Sequence, residues 1–82
     1  MLPKPQEIIK EFILETYPSV NIDYNTNIFS YGYISSLFAM RLVAFIEKEF
    51  EIKFSNKELK FENFKTINNM CAVLNSLTEK QH

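Results

Sequence analysis

Phe29-Ser30-Tyr31-Gly32-Tyr33-Ile34-Ser35-Ser36-Leu37-Phe38-Ala39-Met40-Arg41-Leu42-Val43 is the stretch on which the reading of the chain turns. It holds the only glycine among 82 residues, four positions before Ser36, and an apolar helical pattern starts directly afterwards. A lone glycine at such a place predicts a backbone turn that a side chain would obstruct, often one of positive φ. Ser36 falls at a helix start, where unpaired N–H groups and the positive end of the macrodipole gather. That terminus suits a phosphate, and a serine hydroxyl on it is able to carry one covalently. A serine before an apolar helix also serves as a plain N-cap. The hexapeptide alone leaves both readings open.

Downstream, residues 36–50 read as a helix. Ala39, Leu42, Val43, Ile46 and Phe50 form one stripe at 100° per residue, predicted to face the core. Leu37, Met40 and Ala44 form a second stripe, with Arg41 and Lys48 beside it and Phe38 and Phe45 widening the apolar surface. This second face is either covered by other segments or free to dock partners. The docking reading takes in Leu37, Phe38, Met40, Arg41 and Ala44. Residues 51–54 form a link with Ile52 and Phe54 as alternate anchors, and Ser55-Asn56-Lys57-Glu58 has the pattern of a capping box. Residues 61–64 offer a further short turn. Thr66 is placed to cap a last helix over residues 67–77, with Ile67, Met70, Cys71, Leu74 and Leu77 buried.

Upstream, residues 6–17 read as a first helix, with Ile8, Ile9, Phe12 and Ile13 on one stripe and Glu7, Glu11 and Glu15 on a solvated one. Pro18 ends it, because the residue before a proline is pushed out of the α region. Residues 19–35 keep no helical period; Asn21, Asp23, Asn25, Asn27 and Ser30 favour turns. A loop this long either carries function or is pinned by its apolar residues, and Ile28 and Phe29 are expected to tuck in and position Gly32. The predicted fold is all-α: one domain over residues 1–82, three main helices plus a short extra one, and a long loop between helices one and two. Residues 1–5 and 78–82 are expected to be flexible ends.

Bulk composition narrows the function. Hydrophobic residues make up 46% of the chain and eight of them are Phe, sufficient for a small core. Nine basic against ten acidic residues, a net charge of −1, argue against nucleic acid as a partner. A single cysteine forms no internal disulfide, and Cys71 reads as packing within an apolar repeat. No apolar run approaches the roughly 20 residues that span a bilayer, and the first residues lack the apolar core of a signal peptide. A soluble cytoplasmic protein is the expectation, with no membrane partner. One histidine, at the extreme end, and one cysteine supply neither a transition-metal site nor a histidine-based triad. No catalytic residue is assigned.

Gly32-x-x-x-Ser36-Leu37 closely resembles the attachment site of acyl and peptidyl carrier proteins, and the likeness continues for some forty residues beyond Ser36. Gly32, Ser36, Leu37, Leu42, Val43, Glu47, Phe50, Leu59, Asn63-Phe64, Thr66 and Ile67 stand where carrier sequences place similar residues. The run Ser36-Leu-Phe-Ala-x-x-Leu-Val43, then Glu47-x-x-Phe50 and Asn63-Phe64, is most similar to stand-alone polyketide-pathway carriers of glyceryl, methoxymalonyl or aminomalonyl units. The resemblance implies a 4′-phosphopantetheine arm on Ser36, framed by Gly32, Ser35 and Leu37. It implies as partners a phosphopantetheinyl transferase, an acyl-loading enzyme and a downstream synthase or acyltransferase. The carrier itself is then no enzyme but holds an acyl group as a thioester.

Two features depart from the pattern. Most carriers have Asp before the modified serine, where this chain has Ser35, which could itself be the N-cap and leave the Ser36 hydroxyl pointing outward. The acidic face usual on the second helix is thin, with Phe38, Arg41 and Lys48 at its outward positions. Three rivals stand beside the polyketide reading: a peptidyl or fatty-acyl carrier, a helical interaction module in which Ser36 only caps a helix, and a DNA-binding helical domain. The last lacks a basic recognition helix.

Overall fold

The computed structural model describes residues 4–32 and 34–80. Of the ends expected to be flexible, 1–3 and 81–82 lie outside the described residues. Helix α1 spans Pro5–Thr16, α2 spans Ser36–Phe50 and α3 spans Ile67–Lys80, with 3₁₀ turns at Ile28–Ser30 and Phe61–Phe64. No strand occurs among the described residues. The all-helical fold with its long first loop is the one the sequence predicts.

Pro5 opens α1, since a proline in the first turn removes only an N–H that would be unpaired anyway. Ile9 and Ile13 are fully buried, while Glu7, Glu11 and Glu15 face solvent. Tyr17, ahead of Pro18, leaves the helical region at φ −129° and ψ 74°, and its N–H donates to the Ile13 carbonyl.

The loop from residue 17 to 35 is pinned at both ends. Val20, Ile22, Ile28 and Ile34 are buried, and Phe29 is half-buried. The Tyr31 hydroxyl donates to the Asn21 carbonyl at 2.7 Å and accepts from the Asn21 N–H at 3.2 Å, so one side chain closes the loop on itself. Ile28 N–H donates to the Lys65 carbonyl at 2.9 Å and Asn68 N–H to the Tyr24 carbonyl at 3.0 Å, tying the loop to the start of α3. Asp23 accepts from Asn25 N–H and the Thr26 hydroxyl, and these bonds to its charged form hold its carboxyl below the ordinary value.

Helix α2 buries Phe38, Leu42 and Ile46, a stripe rotated from the predicted one; Ala39, Val43 and Phe50 are only half-buried. Burial of Leu42 and Ile46 contributes about 1.5–3 kcal/mol each. A ring of α1 and one just beyond its end decide the rotation. Phe12 stacks on Phe45 at 4.2 Å between centroids and on Phe38 at 5.8 Å, and Tyr17 meets Phe38 edge-on at 5.0 Å.

Glu51 ends α2 in the left-handed region, φ 55°, the one non-glycine of positive φ among the described residues. Glu47 fastens the segment after the helix: its carbonyl accepts from Ile52 N–H at 3.1 Å and its carboxylate from Phe54 N–H at 2.9 Å. Ile52 and Phe54 are buried, and Phe54 meets Phe64 edge-on at 5.4 Å. The Ser55–Glu58 pairing forms, with Glu58 accepting from the Ser55 N–H and hydroxyl, but it closes a turn and starts no helix.

Thr66 caps α3 as predicted, its Oγ1 accepting from Asn69 N–H at 3.0 Å. Ile67, Met70, Cys71 and Leu74 are buried, and Leu77 is half-buried against them. The helix runs to Lys80, past the predicted end at residue 77, and the Thr78 hydroxyl donates to the Leu74 and Asn75 carbonyls there. Desolvation raises the Cys71 thiol to about 11, as packing without reactivity requires.

Candidate functional site

Ser36 is the first residue of α2 and is exposed. Ser35 before it is extended, φ −92° and ψ 169°, and its carbonyl accepts from Phe38 N–H at 3.0 Å. Its side chain makes no capping bond, although it occupies the cap position. The first turn of α2 contains no acidic residue. The N–H groups and the positive end of this 15-residue helix therefore meet neither a cap nor a carboxylate from their own turn.

The two serines are held from both sides. Ile34 is 3% exposed and Phe38 is 2% exposed, so a buried anchor lies just before the pair and another just after it. Ile34 N–H donates to the Tyr31 carbonyl at 3.0 Å, closing a turn that contains Gly32, and Tyr31 is the residue bonded back to Asn21. The fold thus sets the position of Ser36 through core contacts while leaving the residue itself exposed to solvent.

Two site expectations need correction. Gly32 does not have positive φ, and a Cβ built on it meets nothing within 4 Å, so the turn does not demand glycine. Phe38 is not part of an outward face: it is buried against Phe12 and Tyr17 and anchors the start of α2. The other outward positions, Leu37, Met40, Arg41 and Ala44, are all exposed.

Sequence reasoning passed over Ile34 and Tyr31. Ile34 carried a usable signal, an isolated apolar residue just before the polar pair at the helix start. Tyr31 carried none, since its partner lies ten residues away. Leu59 and Phe61 were likewise not placed beside the site, yet both line a groove with Met40.

The residues present fit a covalent phosphate ester. Ser36 is an exposed serine at a helix N-terminus whose first turn carries no acidic residue. Among the described residues there is no cluster suited to a metal ion and no helix long and apolar enough to cross a membrane.

Comparison with protein families agrees with this geometry. The family model for the phosphopantetheine attachment site matches residues 6–74, from the first turn of α1 to Leu74 in α3. No curated protein and no solved structure matches the chain. With the match running through all three helices and the long loop, the chain belongs to the phosphopantetheine-attachment family, carrier domains that bear a covalently bound 4′-phosphopantetheine.

Proposed function

We propose that Ser36 is the residue that takes the arm, and that the chain carries acyl groups of a polyketide or related pathway. The observation that supports this is the exposed Ser36 at the head of α2, fixed between the buried Ile34 and Phe38. In the attachment, Ser36 Oγ bonds to the arm-side phosphorus of coenzyme A as that phosphorus loses its bond to the nucleotide half. The hydroxyl proton leaves, and a phosphodiester remains at the N-terminus of α2. When bound, the arm supplies a terminal thiol that holds an acyl group as a thioester. The protein's own contribution is position: a rigid helix start, backbone N–H groups and helix dipole that favour the phosphodiester charge.

The finer assignment, to polyketide carriers of small extender units, is supported by the run Ser36 to Val43 and by Asn63-Phe64. Phosphopantetheinyl transferase, a loading enzyme and a synthase or acyltransferase are the partners this assignment requires.

The test is intact mass after incubation with coenzyme A and a promiscuous phosphopantetheinyl transferase. One added arm on the wild type, placed on Ser36 by tandem mass spectrometry and absent from Ser36→Ala, is expected. Modification at Ser35, or an unchanged mass under forcing conditions, would refute the assignment. A native thiol titration gives a second reading, because Cys71 is buried and pushed up to about 11. The unmodified protein should react slowly and the modified protein should gain one fast thiol.

A further inference from the structure

Between α1 and the last turns of α2 lies an open crevice of about 540 Å³. Its floor is apolar: Ile8, Phe12, Phe45 and Phe50 line it, each only half-buried, with Phe12 stacked on Phe45 at 4.2 Å between centroids. The two helices run antiparallel here, since Tyr17, just after α1, meets Phe38 in the first turn of α2. Helix α2 has 15 residues, so Phe50 at its end stands about 21 Å along the axis from Ser36. The crevice is therefore at the far end of the molecule from that serine.

Three exposed carboxylates rim the floor, Glu11 and Glu15 from α1 and Glu49 from α2. None of them is in an ion pair with another described residue. The bases of the two helices are Lys10, Arg41 and Lys48, and none lines the crevice. Lys10 places its ammonium over the Tyr24 ring, 5.8 Å from the centroid, while Arg41 and Lys48 are exposed on α2. Glu11 and Glu15 stand one turn apart, where like charges slightly destabilise a helix, and a cation beside them relieves that repulsion. Carboxylates around a phenyl floor thus complement an occupant that is both apolar and cationic. A groove between two packed helices takes a third helix lengthwise, its apolar stripe set on the floor. A second copy meeting this face through its own would set the same carboxylates against each other.

We propose that the α1–α2 crevice is a second binding surface of this chain, for an amphipathic helix of a partner protein whose apolar stripe is flanked by Lys or Arg. The phenyl floor supplies the affinity, and the carboxylates select the sign of the partner and speed its encounter. Where Ser36 carries the arm, a partner held here stays bound while the arm is served; the surface itself does not depend on that assignment.

Isotope-labelled protein without the arm is titrated with two helical peptides of about 15 residues that share a leucine stripe, one flanked by lysines and the other by glutamates. The lysine peptide should shift the resonances of Ile8, Phe12, Phe45 and Phe50 and leave those of Ser36 and Leu37 in place. It should bind at least about tenfold more tightly than the glutamate peptide. Added salt should weaken it, and a Glu11→Lys, Glu15→Lys, Glu49→Lys triple variant, altered only at exposed positions, should reverse the preference. Binding centred on Leu37 and Met40, preference for the glutamate peptide, equal binding of both, no binding, or shifts that grow with protein concentration as a second copy fills the crevice would each overturn the proposal. The arm plays no part in this titration. A mass experiment that fails at Ser36 while the lysine peptide binds as stated therefore rejects the attachment site alone, and the converse rejects the crevice alone.

Discussion

The starts of α2 and α3 use similar residues to opposite ends. At α3, Thr66 spends its hydroxyl on Asn69 N–H at 3.0 Å and the first helical residue, Ile67, is fully buried. At α2, Ser35 holds the cap position but makes no side-chain capping bond, and the first helical residue, Ser36, is exposed. One terminus is closed for stability. The other is held in place from its flanks, by Ile34 and Phe38, and left chemically open. The difference is one of placement: at α2 the anchoring is moved off the terminus onto its neighbours.

The largest expected effect compares the first turns. Ile67→Ala should cost about 2–5 kcal/mol by leaving a core cavity. Leu37→Ala, in the first turn of α2, should stay within about 0.5 kcal/mol because that side chain is exposed. Denaturant unfolding of both variants measures the contrast; equal losses would mean that α2 is not open at its start.

The caps come next. Thr66→Ala removes a formed bond and should cost about 1 kcal/mol, whereas Ser35→Ala removes none and should cost only a few tenths. Midpoints of thermal unfolding distinguish them, and a Ser35→Ala loss as large as that of Thr66→Ala would show that Ser35 caps α2 in solution.

The smallest change is expected at Gly32. Its φ is not positive and its Cβ direction is open, so Gly32→Ala should leave stability unchanged or raise it by up to about 1 kcal/mol through the unfolded chain. A clear loss would restore the reading that this turn needs glycine. If stability holds but arm attachment slows, the space beside Gly32 serves the incoming transferase.

Much of this architecture is legible along the chain. Pro18 and Thr66 mark a helix stop and a helix start by local chemistry alone, and the apolar period after Ser35 places Ser36 at the head of α2 without reference to any other segment. The capping-box pattern at Ser55–Glu58 shows the limit of such local rules: the Glu58 carboxylate accepts from the Ser55 N–H, but the Ser55 hydroxyl donates to that carboxylate while the Glu58 N–H goes to the Ser55 carbonyl, and no helix propagates from the turn. One turn needs continued apolar support to extend, and the next apolar residues, Leu59 and Phe61, are turned outward.

What the sequence by itself determined is where the helices lie and which serine heads the second; what it left undecided is which way that helix faces. Apolar residues surround α2 on most sides, so a 3.6-residue period fits several buried stripes about equally. The rings of Phe12 in α1 and of Tyr17 just after it hold Phe38 in the core, and with it the stripe of Leu42 and Ile46, while Leu37 and Met40 stay outside. The loop is decided in the same way, by Tyr31 reaching Asn21 and by Ile28 reaching Lys65. Such contacts join residues distant in sequence, and their energy exists only once the chain has closed around them.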